Sequence, residues 1–200
     1  MARQGQARVL TPAEMRIIFK VAESMRHNKR NIAMLHAAYD LALRACEIRR
    51  IRVCDVLEND GLTLVKEIIL LKTMTKSKKI RKIPFVNERA RIAFQSYLTE
   101  RTQKEKSNFN PEKPLFLSQK RGGFTATSII HFFENIYKLV NLKGAKSHSG
   151  RRTCITLKYY KHKDIRSLQA LAGHEQTSTT YRYVDFDFAK IEEIAASNLF

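Results

Sequence analysis

The sequence predicts a mainly α-helical fold with one small three-stranded antiparallel β-sheet, an α+β arrangement in a single domain. Three observations carry this expectation. Apolar residues recur at three- and four-residue spacing over most of the chain. Between Leu62 and Phe85 the pattern switches to short apolar and β-branched runs parted by turn residues. No internal repeat, low-complexity tract or composition break marks a second unit, and 200 residues suit one domain with one core.

Each element has its own signal. In Leu10-Thr11-Pro12-Ala13-Glu14, Thr11 can cap a helix, Pro12 suits its first turn and Glu14 can close a capping box. Met15, Ile18, Phe19 and Ala22 then carry that helix to about Met25. Asn31 is expected to cap a second helix through Leu43, and Glu47 to Ile51 a short third. Asn59-Asp60-Gly61 signals a turn, followed by strands over Leu62–Leu64, Ile68–Leu71 and Ile80–Phe85, the last two joined by a hairpin over 73–79. Pro84 falls at a strand end, where a missing amide donor costs little. Helical spacing returns from Asn87 to about Lys104, with Ala90, Ile92, Ala93, Phe94 and Leu98 expected inside. Leu115 to Leu117 reads as a short extended piece, and Thr127 or Ser128 as the cap of a helix through Val140. Further helices are expected over Ser149–Lys161, Ile165–Leu171, Thr177–Tyr183 and Phe188–Ala196. Residues 1–10 read as a short basic arm and 187–200 as a C-terminal helix and tail.

Composition names a partner class. Lysine and arginine total 37 against 19 acidic residues, a formal charge of +18, and 44% hydrophobic content supports a folded globule. Such a basic excess points to a polyanion, most often nucleic acid, without separating an enzyme from a chromatin or ribosomal protein. No apolar run reaches the roughly 20 residues of a membrane span, and the first ten residues lack the apolar core of a secretory signal. Cys46, Cys54 and Cys154 show no metal-ligand spacing and read as free thiols. A cytoplasmic, nucleoid-associated protein facing DNA is the expectation.

The chemistry is concentrated in a few residues. A phosphodiester repels nucleophiles, and its charge grows in the transition state, so cleavage needs fixed positive charge on the non-bridging oxygens. Acidic residues are scattered, so no carboxylate cluster stands out to hold a metal, and arginine, histidine and lysine are left to supply the charge. Arginine suits the task, because its planar fork grips two phosphate oxygens and stays charged. His148-Ser149-Gly150-Arg151, Ala172-Gly173-His174 and Tyr183 follow one another closely, with Arg44 and Lys76 upstream. Taken singly, each has a plainer explanation. Arg44 could be a surface charge, Lys76 part of a solvated basic hairpin, His148 and Arg151 an exposed pair, and His174 a helix cap. Glu47 is read as a brace for the helix end or for Arg44.

Taken together, Arg44 in Leu43-Arg44-Ala45-Cys46-Glu47-Ile48, Lys76, His148, Arg151, His174 and Tyr183 resemble the tyrosine recombinase (phage integrase) family, in order and over almost the whole chain. The resemblance implies the family's catalytic-domain fold and a site-specific recombinase that works without metal, cofactor or ATP. Tyr183 would attack the scissile phosphorus to form a 3′-phosphotyrosyl link, with Arg44 and Arg151 clamping the phosphate oxygens. Lys76 would protonate the departing 5′-oxygen, His148 would assist proton transfer at the tyrosine, and His174 would hydrogen-bond the phosphate. Tyr181 competes with Tyr183, and the family's interval from His174 favours Tyr183. Lys72, Lys78, Lys79, Arg81, Lys82, Lys143, Lys146 and Arg152 are expected to face double-stranded DNA.

The resemblance also implies integration, excision or inversion of a mobile element by a dimer or tetramer on paired sites. A C-terminal helix would dock on a neighbouring protomer or pack on its own domain. The helical domain that most members place before the catalytic one is not expected here, so an accessory DNA-binding protein could supply its half of the clamp. Gly150, Arg152 and Ala172 stand where relatives often carry a larger apolar residue, a histidine and a leucine. A DNA-binding regulator without catalysis and a type IB topoisomerase are the competing functions.

Overall fold

The computed structural model describes residues 6–75, 79–120, 122–183 and 196. Its first helix, α1 (Pro12–Ser24), starts as the sequence reads: Thr11 caps the Glu14 amide, Glu14 returns the bond, and Pro12 fills the first turn. Helix α2 (Asn28–Tyr39) differs from expectation at both ends. It starts at Asn28, after His27 in a left-handed conformation, and Asn31 lies inside it, its side-chain oxygen accepting from Arg30. It stops at Tyr39, and the chain then turns through Ala42 at φ 51°. Ala33, Met34, Leu35, Ala37, Ala38 and Tyr39 are all buried, so α2 is covered nearly all round. It packs against α1, against α4 (Glu88–Glu105) and against α6 (Ser149–His162) as the central post of the molecule.

A short α3 (Ala45–Ile48) and a 3₁₀ turn (Val53–Asp55) lead to the sheet. Among the described residues the sheet has two strands, β1 (Glu67–Leu70) and β2 (Arg81–Pro84), antiparallel with Ile68 opposite Ile83 and Leu70 opposite Arg81. The expected third strand at Leu62–Leu64 is corrected to a turn. Asp60 accepts from the Leu62 amide and from the Thr63 amide and hydroxyl, which takes those donors from any ladder. Only an isolated bridge, Leu57 to Leu64, remains, and Leu62 is 72% exposed.

Helix α4 is capped by Asn87 as read. Its inner stripe is Ala90, Ala93, Phe94, Tyr97, Leu98 and Arg101, at spacings of three and four, and Ile92 falls off it at 62% exposed. Phe85, Phe94, Phe116 and Tyr97 form a chain of ring contacts between the sheet and this helix. Helix α5 (Ala126–Leu139) is capped by Thr125, three residues before Ser128, which closes the box from inside the helix. Then come α6, α7 (Ile165–Ala172) and α8 (Thr177–Tyr181). The expected helix over Phe188–Ala196 lies outside the described residues apart from residue 196.

Gly150 is explained by the crossing of α6 over α2. A Cβ placed there would lie 3.0 Å from the Ala38 Cβ and 3.1 Å from the Tyr39 ring. Tyr39 fills the space a larger side chain would need, and its hydroxyl is 3.1 Å from that of Tyr137. Gly150→Leu is therefore expected to cost about 1–3 kcal/mol through overpacking, read as a lower midpoint in urea unfolding. An unchanged midpoint would mean the two helices are not tightly seated.

Candidate active site

Three turns of backbone converge at one point. Arg44 precedes α3, and its amide and Nη1 both donate to Glu47, at 2.8 and 2.7 Å. Glu47 is 0% exposed and accepts again from Arg81 Nη2 at 3.0 Å, so one carboxylate holds two guanidinium groups. Arg81 reaches the site because the alternation of β2 turns it inward with Ile83, while Lys82 points out. Arg151, in the first turn of α6, is 1% exposed and donates to the Ala42 carbonyl and, at 2.6 Å, to that of Ala172.

The end of α7 ties the three together. Its last carbonyls have no partner within the helix and form the negative end of its dipole. The Ala172 carbonyl accepts from both Arg81 and Arg151, and the Gly173 carbonyl from Arg44 at 3.4 Å. Gly173 caps α7 at φ 62°, and a Cβ there would sit 2.5 Å from Arg81 Cδ. Only glycine meets both demands.

These cations press on one another. Burial, with Arg151 and Arg44 nearby, brings the Arg81 pKa down to about 10 even though Glu47 opposes the shift. Burial and then Arg44 lower that of Arg151, which Glu47 and Tyr183 partly offset. Burial and then Arg151, Arg44 and Arg81 push His174 down to about 3, so its ring is neutral at physiological pH. Three guanidinium groups thus surround one carboxylate. The buried Nε atoms of Arg81 and Arg151 have no hydrogen-bond partner among the described residues.

Tyr183 closes the site. Its amide bonds to the Thr180 carbonyl at 2.9 Å, and its own carbonyl accepts from the Thr156 hydroxyl. The ring lies 4.8 Å from that of His174, with Arg151 Cζ 5.8 Å from its centroid. Tyr181 is 53% exposed. His148 sits just before α6 and lines an open cleft with Tyr183, Lys146 and Arg152.

Of the residues singled out from the sequence, Arg44, Glu47, Arg151, His174 and Tyr183 are brought together and His148 adjoins them. Lys76 and Lys78 lie outside the described residues. The set expected to face DNA divides. Lys72, Lys79, Lys82, Lys143 and Lys146 are exposed, with Lys79 paired to Glu175 and Lys82 to Glu67. Two are corrected. Arg81 is buried in the site, and Arg152 is 4% exposed with Nη1 2.7 Å from Gln6 Oε1, because the residue after Arg151 in α6 turns under the N-terminal segment. The one signal that could have found Arg81 is its place two residues before the inward-facing Ile83. Thr180, buried beside His174, was missed altogether.

Among the described residues no cluster of three or more His, Cys, Asp or Glu is placed to hold a metal, and no helix is long and apolar enough to cross a membrane.

Residues 8–190 match the sequence model of the phage integrase family. The chain belongs to that family. It is 31% identical over 173 residues to the tyrosine recombinase XerC of Caldanaerobacter subterraneus subsp. tengcongensis, covering 85% of this chain and 45% of that protein. Against XerC of Oceanobacillus iheyensis it is 31% identical over 158 residues, covering 78% and 48%. The chain thus spans about half the length of the curated relatives it matches. The fold resembles the crystal structure of XerA recombinase, with a TM-score of 0.76 and 22% identity over 97% of this chain and 64% of that one. It also resembles XerH site-specific recombinase bound to palindromic difH substrate in a post-cleavage complex, with a TM-score of 0.74 and 22% identity over 94% and 52%. The phage integrase family thus accounts for both the sequence match and the mainly helical fold with its small sheet.

Proposed function

We propose that this phage integrase domain breaks and rejoins double-stranded DNA at specific sites through a phosphotyrosine made by Tyr183. The observation that carries the reading is the charge imbalance under the tyrosine ring: Arg44, Arg81 and Arg151 are gathered around the single carboxylate of Glu47. Mutual repulsion among buried cations is relieved by an anion, and a phosphodiester supplies one whose charge grows as the reaction proceeds. Arg44 and Arg151 act as the clamp, so losing either costs on the order of 100- to 1000-fold in rate. The Tyr183 hydroxyl attacks phosphorus, the proton leaves toward His148, and the 5′-oxygen departs with a proton from Lys76. Because the phosphotyrosine keeps the bond energy, a 5′-hydroxyl reverses the step on the same or another strand.

Integration, excision or inversion of mobile DNA fits this chemistry, as does assembly of two or four copies on paired sites with an accessory DNA-binding protein. Cytoplasmic work on the nucleoid follows from the substrate. Exposed Lys72, Lys79, Lys143 and Lys146 supply phosphate contacts that position the duplex without reading its sequence.

The test is a pool of nicked duplexes of randomised sequence, incubated with the protein and a chelator. A nick beside the scissile bond lets the short 5′-ended product diffuse away and strands the enzyme on its 3′ end. Protein joined to 3′ phosphate is the expected result. DNA bound without any covalent product would leave a regulator, and unselective relaxation of plasmid would leave a topoisomerase.

A further inference from the structure

His174 lies between a donor that cannot change and a hydroxyl that can. Arg151 Nη2 is 3.0 Å from His174 Nε2, and a guanidinium nitrogen has no lone pair to offer. Nε2 is therefore the acceptor and carries no proton. The ring is neutral, so its one proton is on Nδ1, which is 2.9 Å from Thr180 Oγ1. That hydroxyl accepts it. Thr180 is 0% exposed, and of the run Thr177-Ser178-Thr179-Thr180 it is the one buried residue. Its carbonyl also takes the Tyr183 amide, so one residue touches both the ring that supports Arg151 and the backbone that carries the nucleophile.

We infer that Thr180 is a positioning residue, whose buried hydroxyl accepts the His174 Nδ1 proton and anchors the ring so that Nε2 can hold the Arg151 guanidinium in place. The inference rests on the DNA-cleaving role proposed above for its consequence in rate, but not for the location of the proton. It also changes the part expected of His174: the Nε2 lone pair is spent on Arg151, so the ring supports the clamp. Without the Thr180 hydroxyl, Nδ1–H loses its buried acceptor. The proton stays on Nδ1, because at Nε2 it would meet an Arg151 N–H donor against donor, but the ring loses its anchor on that side. As the ring turns toward another acceptor, Nε2 leaves Arg151 and the guanidinium loses part of what aligns it with Arg44.

Two measurements on the full chain decide this. With ¹⁵N-labelled histidine and no DNA, the parent is expected to show His174 protonated at Nδ1 and bare at Nε2. Thr180→Val, nearly the same shape, should shift the Nε2 signal toward that of a free imidazole as its bond to Arg151 weakens. Thr180→Ser should restore the parent spectrum. With saturating nicked duplex, single-turnover cleavage by Thr180→Val should fall by about ten- to a hundredfold while DNA affinity stays within about twofold, and Thr180→Ser should recover the rate. An Nε2-protonated parent, an undiminished rate in Thr180→Val, or a loss confined to DNA affinity overturns the inference. A parent that makes no adduct sinks the proposed function, and the histidine spectrum then decides this inference alone.

Discussion

Tyr183→Phe is expected to hold duplex DNA as tightly as the parent and to leave no protein joined to a nicked strand. The substitution removes one oxygen and keeps the ring, so the packing on His174 at 4.8 Å and the cation beneath it at 5.8 Å survive. Affinity comes chiefly from phosphate contacts by lysine and arginine, which the change does not touch. Only the oxygen proposed as nucleophile is lost, and of its nearby hydroxyls Tyr181 is 53% exposed and Thr180 is engaged with His174. Tyr181→Phe should therefore keep the adduct. Gel mobility under native and denaturing conditions separates binding from covalent capture for both variants. An adduct surviving in Tyr183→Phe and vanishing in Tyr181→Phe would move the nucleophile two residues along the chain.

Glu47→Ala should destabilise the protein by about 3–5 kcal/mol, the cost of stranding buried charges whose partner has been removed. Glu47 is the carboxylate that both Arg44 and Arg81 bond, and it is fully enclosed. Its removal leaves three guanidinium groups facing one another across the end of α7. Equilibrium unfolding in urea reads the loss directly. Inorganic phosphate should recover part of it, because an anion that binds only the folded state stabilises that state by mass action. A loss below about 1 kcal/mol, or indifference to phosphate, would show that the cations are relieved by water instead.

What could be read from the sequence depended on how far apart the deciding residues lie. The start of α1 was fully legible, because Thr11, Pro12 and Glu14 settle it within one turn. The start of α2 was not, since His27 enters through a left-handed conformation with no capping side chain to announce it. The apolar run at Leu62–Leu64 looked like a strand, but Asp60 claims its amide donors, a choice that periodicity does not register. In the site, Arg44, Arg151, His174 and Tyr183 were visible through their resemblance to a known pattern. Arg81 was hidden by its company: among so many lysines its charge suggested surface, whereas the alternation of β2 sends it inward. Thr180 offered no chemical signal of its own. Its importance comes from a hydrogen bond across six residues of chain, and only coordinates reveal that.

Three guanidinium groups rest on the same short ledge, the last peptide groups of α7. A displacement of that ledge reaches all three together. Leu168, buried on that helix, is thus a place where a substitution is expected to shift all three cations together without altering any of them.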